Sequence, residues 1–159
     1  MIKKLMIKNF RSIKEIEIEL DKMNAFIGPN NAGKSNIMKA LDLILGETYP
    51  SPRSFSDKDF YNYDGSNPIE IKVVFDLPLQ CDSDVWGFIL TFDGNDCNYY
   101  ALDNNENILM RYNREVHVSR KMKAEVSLLY LGLDRQAFQQ IRPSQWTLYG
   151  KLLKHIEGE

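Results

Sequence analysis

The sequence predicts an α/β fold of the P-loop NTPase kind, and three observations carry that prediction. Residues 28–35 read Gly-Pro-Asn-Asn-Ala-Gly-Lys-Ser, which satisfies G-x-x-x-x-G-K-[ST] in full. A short apolar run, 23–27, precedes this loop, and a segment with apolar residues at helical spacing, 36–45, follows it. On either side of that unit, residues alternate between apolar and polar as half-buried strands do.

The elements follow in order. Residues 2–8 alternate loosely, and Asn9-Phe10-Arg11-Ser12 makes a turn. Residues 13–20 then alternate cleanly, with Ile16, Ile18 and Leu20 on one face and Glu15, Glu17 and Glu19 on the other. These two strands are expected to pair as a hairpin, before a P-loop strand at 23–27. Gly46 stands where a glycine ends a helix. Residues 47–68 are rich in Pro, Ser, Asp and Tyr and read as a long surface loop. An antiparallel meander over 69–112 comes next, with strands at 69–77, 85–92, 97–102 and 107–112 and turns at 93–96 and 103–105. The near-continuous apolar run 126–131 suits a strand buried on both faces. Residues 143–157 can form an amphipathic helix on Trp146, Leu148, Tyr149, Leu152, Leu153 and Ile156.

The loop at 28–35 has a definite chemistry. Its glycines let the backbone wrap a phosphate with N–H groups turned inward. Lys34 is placed to meet the β- and γ-phosphates, and the Ser35 hydroxyl to complete the shell of a Mg²⁺ ion. The helix that starts near Lys34 adds its positive end to the same anion. The expected ligands are therefore ATP and Mg²⁺.

Composition bounds the alternatives. A chain of 159 residues accommodates one domain, and no run approaches the ~20 apolar residues needed to span a bilayer. Cys81 and Cys97 offer neither a metal spacing nor a disulfide framework, so they read as packing residues in a reducing cytoplasm. Charge is uneven. Residues 47–106 hold 3 basic and 12 acidic side chains, which argues against that section as a nucleic-acid surface. The basic cluster Arg111, Arg114, Arg120, Lys121 and Lys123 reads as a solvated face, with a polyanion contact as the alternative.

Beyond these residue-level readings, the opening 41 residues, with the Asn9–Ser12 turn and the 28–35 loop, resemble the first lobe of ABC-type ATPases related to RecF and the structural-maintenance-of-chromosomes proteins. The similarity is greatest to the OLD (overcoming lysogenization defect) family of ATP-dependent endonucleases, and it extends to about Arg135. The resemblance implies an ABC-type head lobe, with a mixed sheet plus an antiparallel β-subdomain. It implies ATP with Mg²⁺ and head-to-head closure of two lobes over nucleotide. DNA enters as a partner of the full-length protein by the same route. Carried to this sequence, Gly28, Asn30, Asn31, Ala32, Gly33, Lys34, Ser35 and Asn36 line the phosphates, with Arg11 and Ser12 near the nucleotide. A polar residue from the following loop approaches metal and water in that family. Asp59 is the candidate here, with an ordinary loop carboxylate as the equal alternative.

The sequence also departs from the pattern. No acidic Walker B pair follows residues 126–131, no signature motif occurs, and neither His117 nor His155 has a partner pattern. The chain reads as the front part of an ATPase whose second half is elsewhere, and it is expected to bind ATP while hydrolysing it poorly alone. Two alternatives stand: a non-catalytic nucleotide-binding assembly module, and an ABC-type or AAA-labelled ATPase with no nuclease role. A small-molecule kinase or GTPase is disfavoured, since lid arginines and an N-K-x-D-type motif are missing.

Overall fold

The computed structural model describes residues 1–29 and 32–126. Its centre is a five-stranded sheet of β1 (Ile2–Phe10), β2 (Ile13–Glu19), β3 (Ile69–Phe75), β4 (Gly87–Phe92) and β5 (Cys97–Leu102). The order is β2-β1-β3-β4-β5, and each neighbouring pair is antiparallel. Register follows the period-2 pattern, because a slip of one residue would turn every apolar side chain to water. Leu5, Val73, Phe88 and Ala101 stand in one row across the sheet, and Ile7, Ile71, Leu90 and Tyr99 in the next. All eight are buried.

One helix, α1 (Lys34–Leu45), touches β1, β3 and β4. It forms because Ile37, Ala40, Leu41, Ile44 and Leu45 share one stripe, and all five are buried. Each of the Ile and Leu side chains contributes roughly 1.5–3 kcal/mol when fully buried. Outward-facing residues at the β1–β2 hairpin pair across the strands instead. Lys8 meets Glu15 at 3.1 Å, and Lys4 reaches Glu17 at 3.6 Å and also Glu106.

The P-loop strand expected at 23–27 is not a strand. That segment carries no ladder, and Met23 and Ile27 are 91% and 94% exposed. An apolar run becomes a strand only beside a chain that accepts its hydrogen bonds, and no described residue does so here. Among the described residues the sheet is antiparallel throughout. The strand expected at 126–131, apart from Val126 itself, and the helix expected at 143–157 lie outside the described residues.

In the meander, β4 starts two residues later than expected. The run 107–112 yields only β6 (Met110–Arg111), paired with β7 (Arg114–Glu115). The loop 47–68 is shaped by short 3₁₀ turns at Pro52–Ser54, Asp57–Asp59 and Tyr61–Tyr63.

The chain then turns into α2 (Arg120–Glu125), which the sequence reading missed. Ser119 caps it, its Oγ accepting from the Met122 N–H at 3.2 Å. This helix breaks up the basic cluster. Arg111 donates to Asp82 and Asp84 at 2.6 and 2.8 Å, and Lys123 is 6% exposed. The Lys123 ammonium donates to the Ile44 carbonyl at 3.2 Å and lies 5.2 Å from the Tyr99 ring centroid. Tyr99 donates its hydroxyl to the same carbonyl at 2.5 Å, so both residues pin the last turn of α1.

Burial pushes the Lys123 amine down to about 8 from 10.5. Between those two values the unfolded chain holds a proton that the folded chain has released, so this group makes stability rise with pH. Wild-type protein is expected to gain about 1–2 kcal/mol relative to Lys123→Met between pH 7.5 and 9.5. Urea unfolding of both proteins at the two pH values measures this. Parallel pH curves would place the amine in water instead. The comparison cancels the opposing effect of Cys97, whose thiol burial pushes up to about 11. Both Cys97 and Cys81 pack against the core.

Candidate nucleotide site

The glycine loop meets α1 at Gly33, which takes φ +91 and precedes the first helical residue, Lys34. A side chain is excluded at Gly33 twice over. The left-handed backbone strains any L-residue, and an added Cβ would lie 3.0 Å from Ser12 Oγ. The helix starts with no side-chain cap and no acidic residue in its first turn. Its positive end is thus left unneutralised, which favours an anion.

Lys34 turns back over the loop, and its Nζ donates to the Gly28 and Pro29 carbonyls, both at 2.7 Å. The Ala32 N–H returns to the Pro29 carbonyl at 3.2 Å. Gly28, Pro29, Ala32 and Ser35 are exposed, and Lys34 is half-buried. Asn30 and Asn31 lie outside the described residues.

The β1–β2 turn backs this loop. Asn36 Nδ2 donates to Ser12 Oγ at 2.8 Å, tying the first turn of α1 to the hairpin. Asn9 and Arg11 both take positive φ, 54 and 53. Arg11 packs its guanidinium over the Phe10 ring, 5.3 Å from the centroid. Its Nε donates to Asp59 Oδ1 at 2.7 Å, and its backbone N–H donates to the Asp59 carbonyl at 2.7 Å.

Asp59 was expected to face metal and water, but its carboxylate is already engaged. Oδ1 accepts from Arg11, and Oδ2 accepts from both the N–H and the hydroxyl of Ser56, each at 2.9 Å. Asp59 is buried, at 6% exposure. Burial pushes this carboxyl up, yet the hydrogen bonds from Arg11 and Ser56 outweigh it and hold the group below the usual carboxylate range. Ser56 escaped the sequence reading, although Ser56-Asp57-Lys58-Asp59 has the spacing of a capping box that would have pointed to it. Among the described residues, no group of three His, Cys, Asp or Glu side chains is placed to hold a metal ion.

A cavity of about 450 Å³ opens at the other end of α1, among Gly46, Glu47, Tyr49, Arg120, Lys123 and Ala124. It faces the carbonyl end of the helix, whose partial negative charge opposes a polyphosphate.

The model of the AAA ATPase domain family matches residues 1–153. This chain belongs to that family. The AAA ATPase domain is 35% identical to the OLD nuclease of Thermus scotoductus, over 100% of this chain and 31% of that protein. It is 43% identical to the DNA replication and repair protein RecF of Clostridium kluyveri, over 40% of this chain and 17% of the relative. It is 36% identical to the DNA double-strand break repair Rad50 ATPase of Methanopyrus kandleri, over 47% of this chain and 8% of the relative. The chain thus spans less than a third of the length of each of these relatives. An antiparallel sheet, a covering helix and a glycine loop at that helix's start are consistent with a P-loop NTPase. Among the described residues, no helix is long and apolar enough to cross a membrane.

Proposed function

We propose that this AAA ATPase domain is the ATP-binding, Walker A lobe of an ABC-type head in an OLD-like or RecF-like ATPase. The observation that carries this reading is the Lys34 ammonium held across the glycine loop at the uncapped start of α1. On ATP arrival, Lys34 exchanges the Gly28 and Pro29 carbonyls for β- and γ-phosphate oxygens. Amides of the glycine loop would wrap the phosphates, and the Ser35 hydroxyl would help to hold Mg²⁺. Asn36, Ser12 and Arg11 form the rim. The chemistry that Mg²⁺ would supply there is neutralisation of phosphate charge.

Hydrolysis further requires an oriented water and charge stabilisation from across a closed interface. Asp59, the carboxylate offered for the water, is committed to Arg11 and Ser56. This chain therefore binds nucleotide and turns it over poorly by itself. In the full-length protein the lobe closes head-to-head with a second copy, and its ATP cycle drives work on DNA, with an endonuclease as the OLD-like case. The commitment of Asp59 equally favours a second reading, a non-catalytic assembly module. Sustained ATP hydrolysis by the full-length protein would exclude that module.

Calorimetric titration of residues 1–159 tests the site. Mg·ATP is expected to bind, and Ser35→Ala is expected to weaken Mg·ATP by about tenfold while leaving the affinity for ATP in EDTA unchanged. Absence of any binding heat with Mg·ATP, backed by a null result with a fluorescent ATP analogue, would overturn the reading.

A further inference from the structure

We infer that Asp59 is a positioning residue for the nucleotide loop, acting through the Arg11–Ser12 turn without touching the ligand. The inference rests on the nucleotide reading above and deepens it. The chain of contacts is short. Asp59 grips Arg11 at two points, carboxylate to guanidinium and carbonyl to backbone N–H, each at 2.7 Å. Ser12 follows directly, receives the Asn36 amide at 2.8 Å, and stands against the face of Gly33 where a side chain would be.

The turn does not hold this shape on local preference alone. Arg11 and Asn9 both sit in the left-handed region, which a side chain such as that of Arg11 disfavours. Such backbone persists where its surroundings over-determine it. Here the restraints are Asn9 Nδ2 donating to the Asn67 carbonyl on one shoulder and Asp59 holding Arg11 on the other. The Phe10–Phe60 bridge runs beside them. Asp59 is itself fixed by Ser56, so the restraint on Arg11 is a buried, fully hydrogen-bonded carboxylate. Removing its charge releases the guanidinium and leaves the backbone bond alone to hold Arg11 against relaxation toward ordinary φ. Ser12 then withdraws from Gly33 and Asn36, and the loop loses the wall that fixes its amides.

The test measures Mg·ATP affinity of the whole chain by calorimetry, below the melting temperature of each variant. Asp59→Asn keeps the shape and the Ser56 contacts, and is expected to weaken binding by about tenfold. Ser12→Ala should weaken it similarly. The double variant should be no worse than the poorer single one, because both act on one linkage. Ser56→Ala, a milder change with the fold less at stake, should weaken binding by about two- to threefold. A merely structural Asp59 would lower the melting temperature while leaving folded protein with wild-type affinity, and that result overturns the inference. Additive effects of Asp59→Asn and Ser12→Ala overturn it as well. Where wild type binds and Asp59→Asn binds equally, the positioning role alone fails. Where wild type binds no nucleotide, the reading beneath it fails too.

Discussion

Lys34→Ala is expected to abolish measurable ATP binding while the protein stays folded. The side chain contributes nothing to the core, and its hydrogen bonds go to two carbonyls on an exposed loop. Truncation returns those carbonyls to water, so little stability is lost. What disappears is a charge-assisted donor to phosphate, worth about 1.5–3 kcal/mol per contact. With two phosphate contacts the loss is about 3 kcal/mol or more, at least a hundredfold in affinity. Calorimetry and a thermal melt on the same sample separate binding from folding. Unchanged affinity would remove the glycine loop from the site.

The second large effect falls on stability. Phe88→Ala should cost about 3–5 kcal/mol, a large share of the 5–15 kcal/mol that holds a domain together. Phe88 is fully buried in β4, opposite Val73 on one side and Ala101 on the other. Its ring stands edge-on to Phe75 at 5.2 Å and to Tyr99 at 5.6 Å. Neither backbone neighbour can fill the void, since both strands are fixed by their ladders. Urea denaturation reports the shift. A change below about 1 kcal/mol would mean that the sheet closes over the gap, contrary to the packing described.

How legible these features were in the sequence depends on which were local. The start of α1 was readable, because Gly33-Lys34-Ser35 and the stripe from Ile37 to Leu45 encode it within one segment. The strand faces were readable for the same reason, since alternation alone separates Ile16 and Ile18 from Glu15 and Glu17. The lack of a ladder at 23–27 was not, because strandhood there depends on a neighbouring chain rather than on Phe26 or Ile27. Helix α2 was hidden by its charges. Lys123 is buried where Arg120 and Lys121 beside it are exposed, and only the tertiary site at Ile44 and Tyr99 distinguishes them. Asp59 was expected to face metal and water, and its engagement by Arg11 was not legible, since Arg11 lies 48 residues away in sequence.

The two anchors on α1 have a mechanical meaning. Twelve residues make a rod about 18 Å long. At its head, Asn36 is fastened to the hairpin, and at its tail the Ile44 carbonyl is bolted by a phenol from β5 and an amine from α2. A strut fixed at both ends cannot soak up a push at one of them. A displacement at the loop end of α1 would therefore be felt at α2 as movement of a single lever.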